Sequence, residues 1–144
     1  MNQELKLSFE LDELKRLQAI PEEEIRGYAF EKEEYNPIET FGFSLRDEGN
    51  DIKGRCNGIL YYGCLYINQL WIDKDYRSKG FGRQLIKAAE NFGKEKGCLF
   101  STVNTMNSEA MGFYKKLGYF IEFQRKGYQK NSIFYFLRKD FTKG

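Results

Sequence analysis

Apolar residues recur along this chain at two spacings. Glu39–Leu45 alternates aromatic and polar positions, and Ile52–Tyr62 and Cys64–Ile72 follow as extended runs, the second strongly apolar. Asp47–Asn50 and Gly63 punctuate these runs as turns. From Gly80 to Lys96 the period changes. Leu85, Ile86, Ala89, Phe92 and Gly93 fall on one helical face, and Gly97 stands where a left-handed C-terminal cap is expected. Cys98–Val103 predicts a short strand. Asn107 or Ser108 then caps a helix that continues to Leu117 and stops at Gly118. Tyr119–Arg125 and Ile133–Lys139 predict a closing hairpin around a Gly127–Asn131 turn.

The first third of the chain reads differently. Leu5–Phe9 predicts a short strand, and Asp12–Ala19 and Pro21–Glu34 read as helices. Pro21 suits a first helical turn, with Glu22, Glu23 and Glu24 where the helix dipole favours negative charge; Asn36-Pro37 breaks the run. The order is helices, a meander of strands, strand–helix–strand–helix, then two strands. That order predicts an α/β or α+β fold with a mixed sheet.

Composition narrows the chemistry. A chain of 144 residues with 41% hydrophobic and 17% aromatic residues is expected to fold as one domain spanning 1–144. No apolar run approaches a membrane span, and the start MNQELKLSFELDELKRL is too acidic and mixed for a signal peptide, so the expected compartment is the cytoplasm. Cys56, Cys64 and Cys98 give neither a disulfide framework nor a zinc pattern. The chain has no histidine, which excludes Ser-His-Asp and Cys-His catalysis and His-ligated metals. Charge is unevenly spread. Residues 1–64 carry 8 Lys and Arg against 14 Asp and Glu, whereas residues 65–144 carry 15 against 7. The basic half fits a polyanionic cofactor; the acidic half fits either a cationic substrate or a plain solvated face.

The candidate chemistry lies between Asp73 and Gly97. There an apolar strand runs through a short loop, Arg77-Ser78-Lys79-Gly80-Phe81-Gly82, into a helix. A helix start exposes N–H groups that no intrahelical carbonyl accepts, and with the dipole they form an anion site. Gly80 and Gly82 let a phosphate approach the backbone closely, which a β-branched residue at either position would block. No GxxxxGK-Ser/Thr stretch exists for a P-loop, and Leu85 stands where a dinucleotide-binding loop needs its third glycine.

The stretch WIDKDYRSKGFGRQLIKAAENFGKEKGC followed by NTMNSEAMGFYKKLGY resembles the GNAT superfamily of N-acetyltransferases. The family's acetyl-CoA motif, Arg or Gln, two residues, Gly, one residue, Gly or Ala, reads here as Arg77 through Gly82. Its second motif matches Asn107, Ala110, Phe113, Tyr114, Gly118 and Tyr119 in order. Lys74 stands where family sequences often carry proline. The resemblance covers residues 60–140 well and residues 1–50 only in layout. It implies a mixed, twisted sheet of roughly six or seven strands with about four helices, splayed between the strand before the glycine loop and the strand after its helix.

The resemblance also implies roles. The cofactor is acetyl-CoA, with no metal. The Arg77–Gly82 backbone cradles the pyrophosphate, and Arg77, Lys79 and Arg83 add positive charge. Main-chain groups of Leu70, Trp71 and Ile72 hold the pantetheine amides and the thioester carbonyl, one N–H serving as oxyanion donor. Asn107 either contacts the cofactor arm or is a plain helix N-cap. Tyr114 is the expected general acid toward the departing thiolate, although Ala110, Phe113, Tyr114 and Leu117 also form a helical apolar stripe in which a tyrosine is simply core. The acceptor is expected to be a primary amine, attacking directly.

The base is unassigned. A lysine-like amine with a pKa near 10.4 costs roughly 4–5 kcal/mol to deprotonate at neutral pH. Asn68 and Gln69 cannot act as bases, and spacing singles out none of Asp73, Glu34, Glu39 and Glu122. A water relay is equally open. The glutamates from Glu22 to Glu34 border the acceptor region of the family and fit a cationic amine or a solvated face. Two rival functions stand beside the acyltransferase. One is a non-catalytic acyl-CoA-binding module. The other is nucleic-acid binding through Arg125, Lys126, Tyr128, Lys130, Phe134 and Tyr135, which the nearly neutral net charge argues against. Homodimers are common in the family, with Phe134, Tyr135 and Phe136 at the expected interface.

Overall fold

A computed structural model describes residues 4–11 and 38–141. The expected helices Asp12–Ala19 and Pro21–Glu34, the Asn36-Pro37 break and the glutamates Glu22–Glu34 lie outside the described residues. Strands β1 (Lys6–Phe9), β2 (Glu39–Arg46), β3 (Ile52–Tyr61) and β4 (Cys64–Ile72) lead to helix α1 (Phe81–Glu95). Strand β5 (Phe100–Thr105), helix α2 (Ser108–Lys116) and strands β6 (Phe120–Arg125) and β7 (Phe134–Asp140) complete the chain. The expected mixed sheet is present, with seven strands in the order β1-β2-β3-β4-β5-β7-β6. Of about four expected helices, two stand among the described residues, with 3₁₀ turns at Lys74–Tyr76 and Gln129–Asn131. No helix there is long and apolar enough to cross a membrane.

β1 to β4 form an antiparallel meander, whose tightest connection is the two-residue loop Tyr62-Gly63 between paired Tyr61 and Cys64. Both loop residues have positive φ, 50° and 81°, as the twist-matched hairpin turn requires. β4 then pairs parallel with β5, reached through α1, and the closing hairpin inserts β7 between β5 and β6.

Both helices lie on one face of the sheet. Leu85, Ile86, Ala89 and Gly93 of α1 are buried as the periodicity predicted, against Leu45, Leu65, Cys56 and Phe41. Each helix ends in the same backbone motif. At α1, the Gly97 and Cys98 N–H groups donate to Lys94 and Gly93, which uses Cys98 in the cap and starts β5 two residues later than expected. At α2, Gly118 and Tyr119 donate to Lys115 and Tyr114, and the rings of Tyr119 and Tyr114 meet at 5.5 Å as the motif's apolar contact.

One polar group sits deep in this interface. Glu90 of α1 is 4% exposed. Its carboxylate lies 2.9 Å from the Tyr119 hydroxyl and accepts from Lys139 Nζ at 3.0 Å, while the Tyr119 hydroxyl also lies 2.8 Å from Ser101 Oγ. A buried carboxylate is tolerated only when paired and hydrogen-bonded. Here α1, β5, β7 and the end of α2 are tied through it.

Candidate active site

The site begins where β4 and β5 part. Their parallel pairing runs from Cys64↔Phe100 to Ile67↔Val103 and stops there, although β4 continues to Ile72. Against β3, β4 carries a bulge: Gly58 pairs with Ile67 and Asn57 with Gln69, leaving Asn68 as the extra residue. The alternation of side chains slips by one at that point. Ile67, Leu70 and Ile72 therefore share the helical face, while Gln69 and Trp71 face the other way. Gln69 there accepts a hydrogen bond from Asn57 Nδ2 at 2.9 Å.

Main-chain direction alternates too. Asp73 N–H donates to the Lys53 carbonyl at 2.8 Å, so Asp73 and Trp71 turn their main-chain groups toward β3. Leu70 and Ile72 turn theirs toward the gap that β5 has left. Of the three residues expected at the cofactor arm, Leu70 and Ile72 turn main-chain groups to the gap, whereas the main chain of Trp71 belongs to the β3 ladder. The Ile72 carbonyl accepts from Arg77 Nε at 2.9 Å. The Arg77 side chain thus ties the loop to the strand end through Nε.

The loop itself is shaped for an anion. Asp73 caps the 3₁₀ turn by accepting from Asp75 N–H at 2.9 Å. Ser78 has φ 63° and Gly80 φ 91°, both left-handed. A Cβ at Gly80 would meet nothing within 4 Å, so the space over it is open. α1 has neither a side-chain cap nor an acidic residue in its first turn, which leaves its leading N–H groups and the positive end of its dipole to a ligand. α2 is different. Asn107 Oδ1 accepts from Glu109 N–H at 2.7 Å and Ala110 N–H at 3.1 Å, so this oxygen serves as the N-cap and only the amide nitrogen is left for a ligand.

These elements enclose a groove of about 660 Å³. It is lined by Leu70, Trp71, Ile72, Arg77, Ser78, Gly80, Gly82, Arg83 and Asn107 from the expected set, and additionally by Tyr76, Glu109, Ala110 and Phe113. Lys79 is exposed on the loop, and the Phe81 ring turns to Tyr76 at 6.0 Å; neither lines the groove. Phe113 and Ala110 stood in the second motif, but only the fold brings the α2 N-terminus against the Gly82 turn, where a Cβ would lie 3.2 Å from the Phe113 ring.

The model of the acetyltransferase (GNAT) family matches residues 5–119. The chain belongs to the GNAT family. A blasticidin-S acetyltransferase of Streptomyces morookaense is 33% identical over 87 residues, 60% of this chain and 64% of that protein. The chain thus matches just under two thirds of that relative's length. An acetyltransferase structure from Bacillus cereus ATCC 14579 superposes with TM-score 0.72 at 26% identity, covering 91% of this chain and 94% of that one. A putative acetyltransferase from Agrobacterium tumefaciens superposes with TM-score 0.75 at 21% identity over 98% and 100% of the two chains, a likeness of fold.

Within this GNAT fold Tyr114 does not line the groove. It is 5% exposed, with its ring edge-on to Phe113 at 5.1 Å and to Tyr119 at 5.5 Å. Burial, and secondarily the nearby Cys56 thiol, raises its pKa above the ordinary phenol value. Burial also pushes Cys56 up to about 12, so this region strongly disfavours a thiolate. The three candidate bases among the described residues are ion-paired. Asp73 lies 3.8 Å from Lys53, Glu122 lies 3.0 Å from Arg138, and Glu39 lies 3.4 Å from Lys96 at the opposite end of β4. Glu34 lies outside the described residues. Among the described residues there is no cluster of three or more metal-ligating side chains.

Proposed function

We propose that the protein transfers an acetyl group from acetyl-CoA to a primary amine by direct attack, without a covalent enzyme intermediate. The observation that carries this reading is the main chain of Leu70 and the N–H of Ile72, which face the gap beside an uncapped helix start. The donors of the Arg77–Gly82 loop and the first turn of α1 fit a pyrophosphate. The gap beyond Ile67↔Val103 fits an extended amide-bearing arm, added to β4 as a further strand would be. An N–H of Leu70 or Ile72 then faces the thioester carbonyl as oxyanion donor. Asn107 steadies the arm through its amide nitrogen, and Arg83 and Lys79 supply charge.

Tyr114 is the general acid in this reading. A desolvated phenol holds its proton at all physiological pH, and Tyr114 stands directly behind Phe113 of the groove wall. In this reading Tyr114 gives its proton to the leaving sulfur. The expected bases Asp73, Glu39 and Glu122 are ion-paired, so in this reading water relays the amine proton or the amine arrives neutral.

The ion pairing of Asp73, Glu39 and Glu122 favours one second reading, a non-catalytic acyl-CoA-binding module. Release of CoA thiol across a panel of amines, peptides and aminoglycosides decides between them. Thiol release with any amine establishes the acyltransferase. Tight acetyl-CoA binding with no release across the panel establishes the binding module.

A further inference from the structure

β6 and β7 turn a row of rings to the sheet face away from α1 and α2. Phe134 and Phe136 lie 5.0 Å apart, Phe123 meets Phe136 at 5.6 Å, and Tyr128 meets Phe134 at 5.9 Å. A bulge at Glu122 puts Phe123 there: Ile121 pairs with Leu137 on the helical face, and Phe123 pairs with Phe136 on the other. Phe123 is 53% exposed, a large apolar surface left to water. Over these rings sits the Arg125 guanidinium, 5.3 Å from Phe136 and 5.8 Å from Phe123. Two cations on this face are treated differently. Arg138 is paired with Glu122 at 3.0 Å and Asp140 at 2.8 Å. Arg125 has only ring contacts and no carboxylate partner among the described residues.

The row borders the gap between β4 and β5. Phe136 pairs with Asn104, the residue directly after Val103, where the β4–β5 pairing ends. The groove that fits the acetyl donor is built from the first turns of α1 and α2, and the row lies on the opposite face of the sheet. On that face the gap is flanked by the carboxamides of Asn57 and Gln69 on one side and by the Phe136 row with Arg125 on the other.

We infer that this row is the acceptor subsite, and that it takes an amine carrying a carboxylate on an apolar or aromatic body: an amino acid or a close analogue. The inference rests on the acetyl-transfer reading above and adds the acceptor class to it. The body stacks on Phe123, Phe134 and Phe136, and the carboxylate pairs with the guanidinium of Arg125. The amine is left pointing into the gap. Its nitrogen forms a bond to the acetyl carbon as the C–S bond breaks; the amine gives up one proton and the sulfur gains one. A polyamine finds no carboxylate free on this wall and meets Arg125 instead.

Thiol release from acetyl-CoA tests this with three acceptors, L-phenylalanine, phenethylamine and spermidine, on the full chain and on Arg125→Gln and Arg125→Lys. Wild type is expected to show a KM for phenylalanine about tenfold or more below that for phenethylamine. Arg125→Gln should erase that gap while leaving the KM for acetyl-CoA unchanged. Arg125→Lys should restore part of it, since a lysine keeps the charge without the planar fork. Equal use of phenylalanine and phenethylamine by wild type overturns the inference, as does turnover of spermidine without phenylalanine; both leave acetyl transfer standing. Absence of release with every amine overturns acetyl transfer and the inference together.

Discussion

Replacing Tyr114 with phenylalanine removes one hydroxyl and keeps the ring. That ring is 5% exposed and held edge-on by Phe113 and Tyr119, contacts that phenylalanine preserves. The hydroxyl has no hydrogen-bond partner among the described residues. A buried polar group without a partner costs about 1–3 kcal/mol, so Tyr114→Phe is expected to be as stable as wild type or more stable, by up to about 2 kcal/mol. Turnover should move the other way. A positioned general acid contributes about 10²–10⁴-fold, so kcat should fall by that factor, a barrier increase of about 3–5 kcal/mol. Urea unfolding followed through Trp71, the only tryptophan, reads the stability. Thiol release at saturating acetyl-CoA reads kcat, and direct titration with CoA checks that the donor site is intact. Because burial raises Tyr114 above the usual phenol range, wild type should show no alkaline loss from this group below a pH of about 10. A variant with kcat within about twofold of wild type would make Tyr114 a core residue and refute its role as acid. A variant destabilised by more than about 1 kcal/mol would show that the hydroxyl has a partner after all.

Three further outcomes follow from the geometry. Glu90→Ala takes the carboxylate from the Tyr119 hydroxyl, which keeps Ser101, and from the partly exposed Lys139 ammonium and should cost about 1–3 kcal/mol in thermal or urea unfolding, with Glu90→Gln losing less; no measurable loss would count against the network. Gly80→Ala introduces a Cβ at φ 91° into space that is open without ligand, so its stability cost should be only about 1–2 kcal/mol while the KM for acetyl-CoA rises about tenfold or more; an unchanged KM would remove the phosphate from this loop. Arg46 hydrogen bonds, with Ser8, lower the Glu10 carboxyl from 4.5 to about 2. Its stabilisation is therefore complete above the unfolded value and lost as pH falls toward 2, and after discounting for solvent screening it amounts to about 1 kcal/mol. Stability curves of wild type and Glu10→Gln should differ by that amount at pH 7 and converge near pH 2.

Local periodicity carried much of the fold, and its failures are informative. The stripe from Leu85 to Gly93 predicted which face of α1 is buried, because apolar spacing reports burial directly. Glu90 lies on the same face and drew no notice, since a buried carboxylate depends on partners 29 and 49 residues away that no local pattern reveals. The hairpin of β6 and β7 was legible from its turn, but not that β7 docks on β5; a hairpin offers either strand as its inner edge. For the site, the glycine loop and Asn107 were legible as motifs. The bulge in β4 left a trace that was there to read: Leu65 and Ile67 alternate normally, then Leu70 and Ile72 resume one position out of step. That slip decides why Leu70 and Ile72 present their main chain to the gap while Trp71 does not. The Ala110–Leu117 stripe could not separate core from chemistry at Tyr114, because a buried general acid satisfies both descriptions.

The extra residue at Asn68 makes this stretch of β4 sensitive to length and tolerant of identity. A strand lacking it would keep Ile67, Leu70 and Ile72 on the helical face, since the remaining residues alternate without interruption. What it would lose is the local bend, and a straightened β4 has main-chain partners waiting in Asn104 and Thr105 of β5. Shortening the chain by this one residue would therefore zip shut the opening between the two strands while every core side chain stays in place. Asn68 thus separates fold from groove: its deletion is expected to give a folded molecule in which the gap between β4 and β5 is closed.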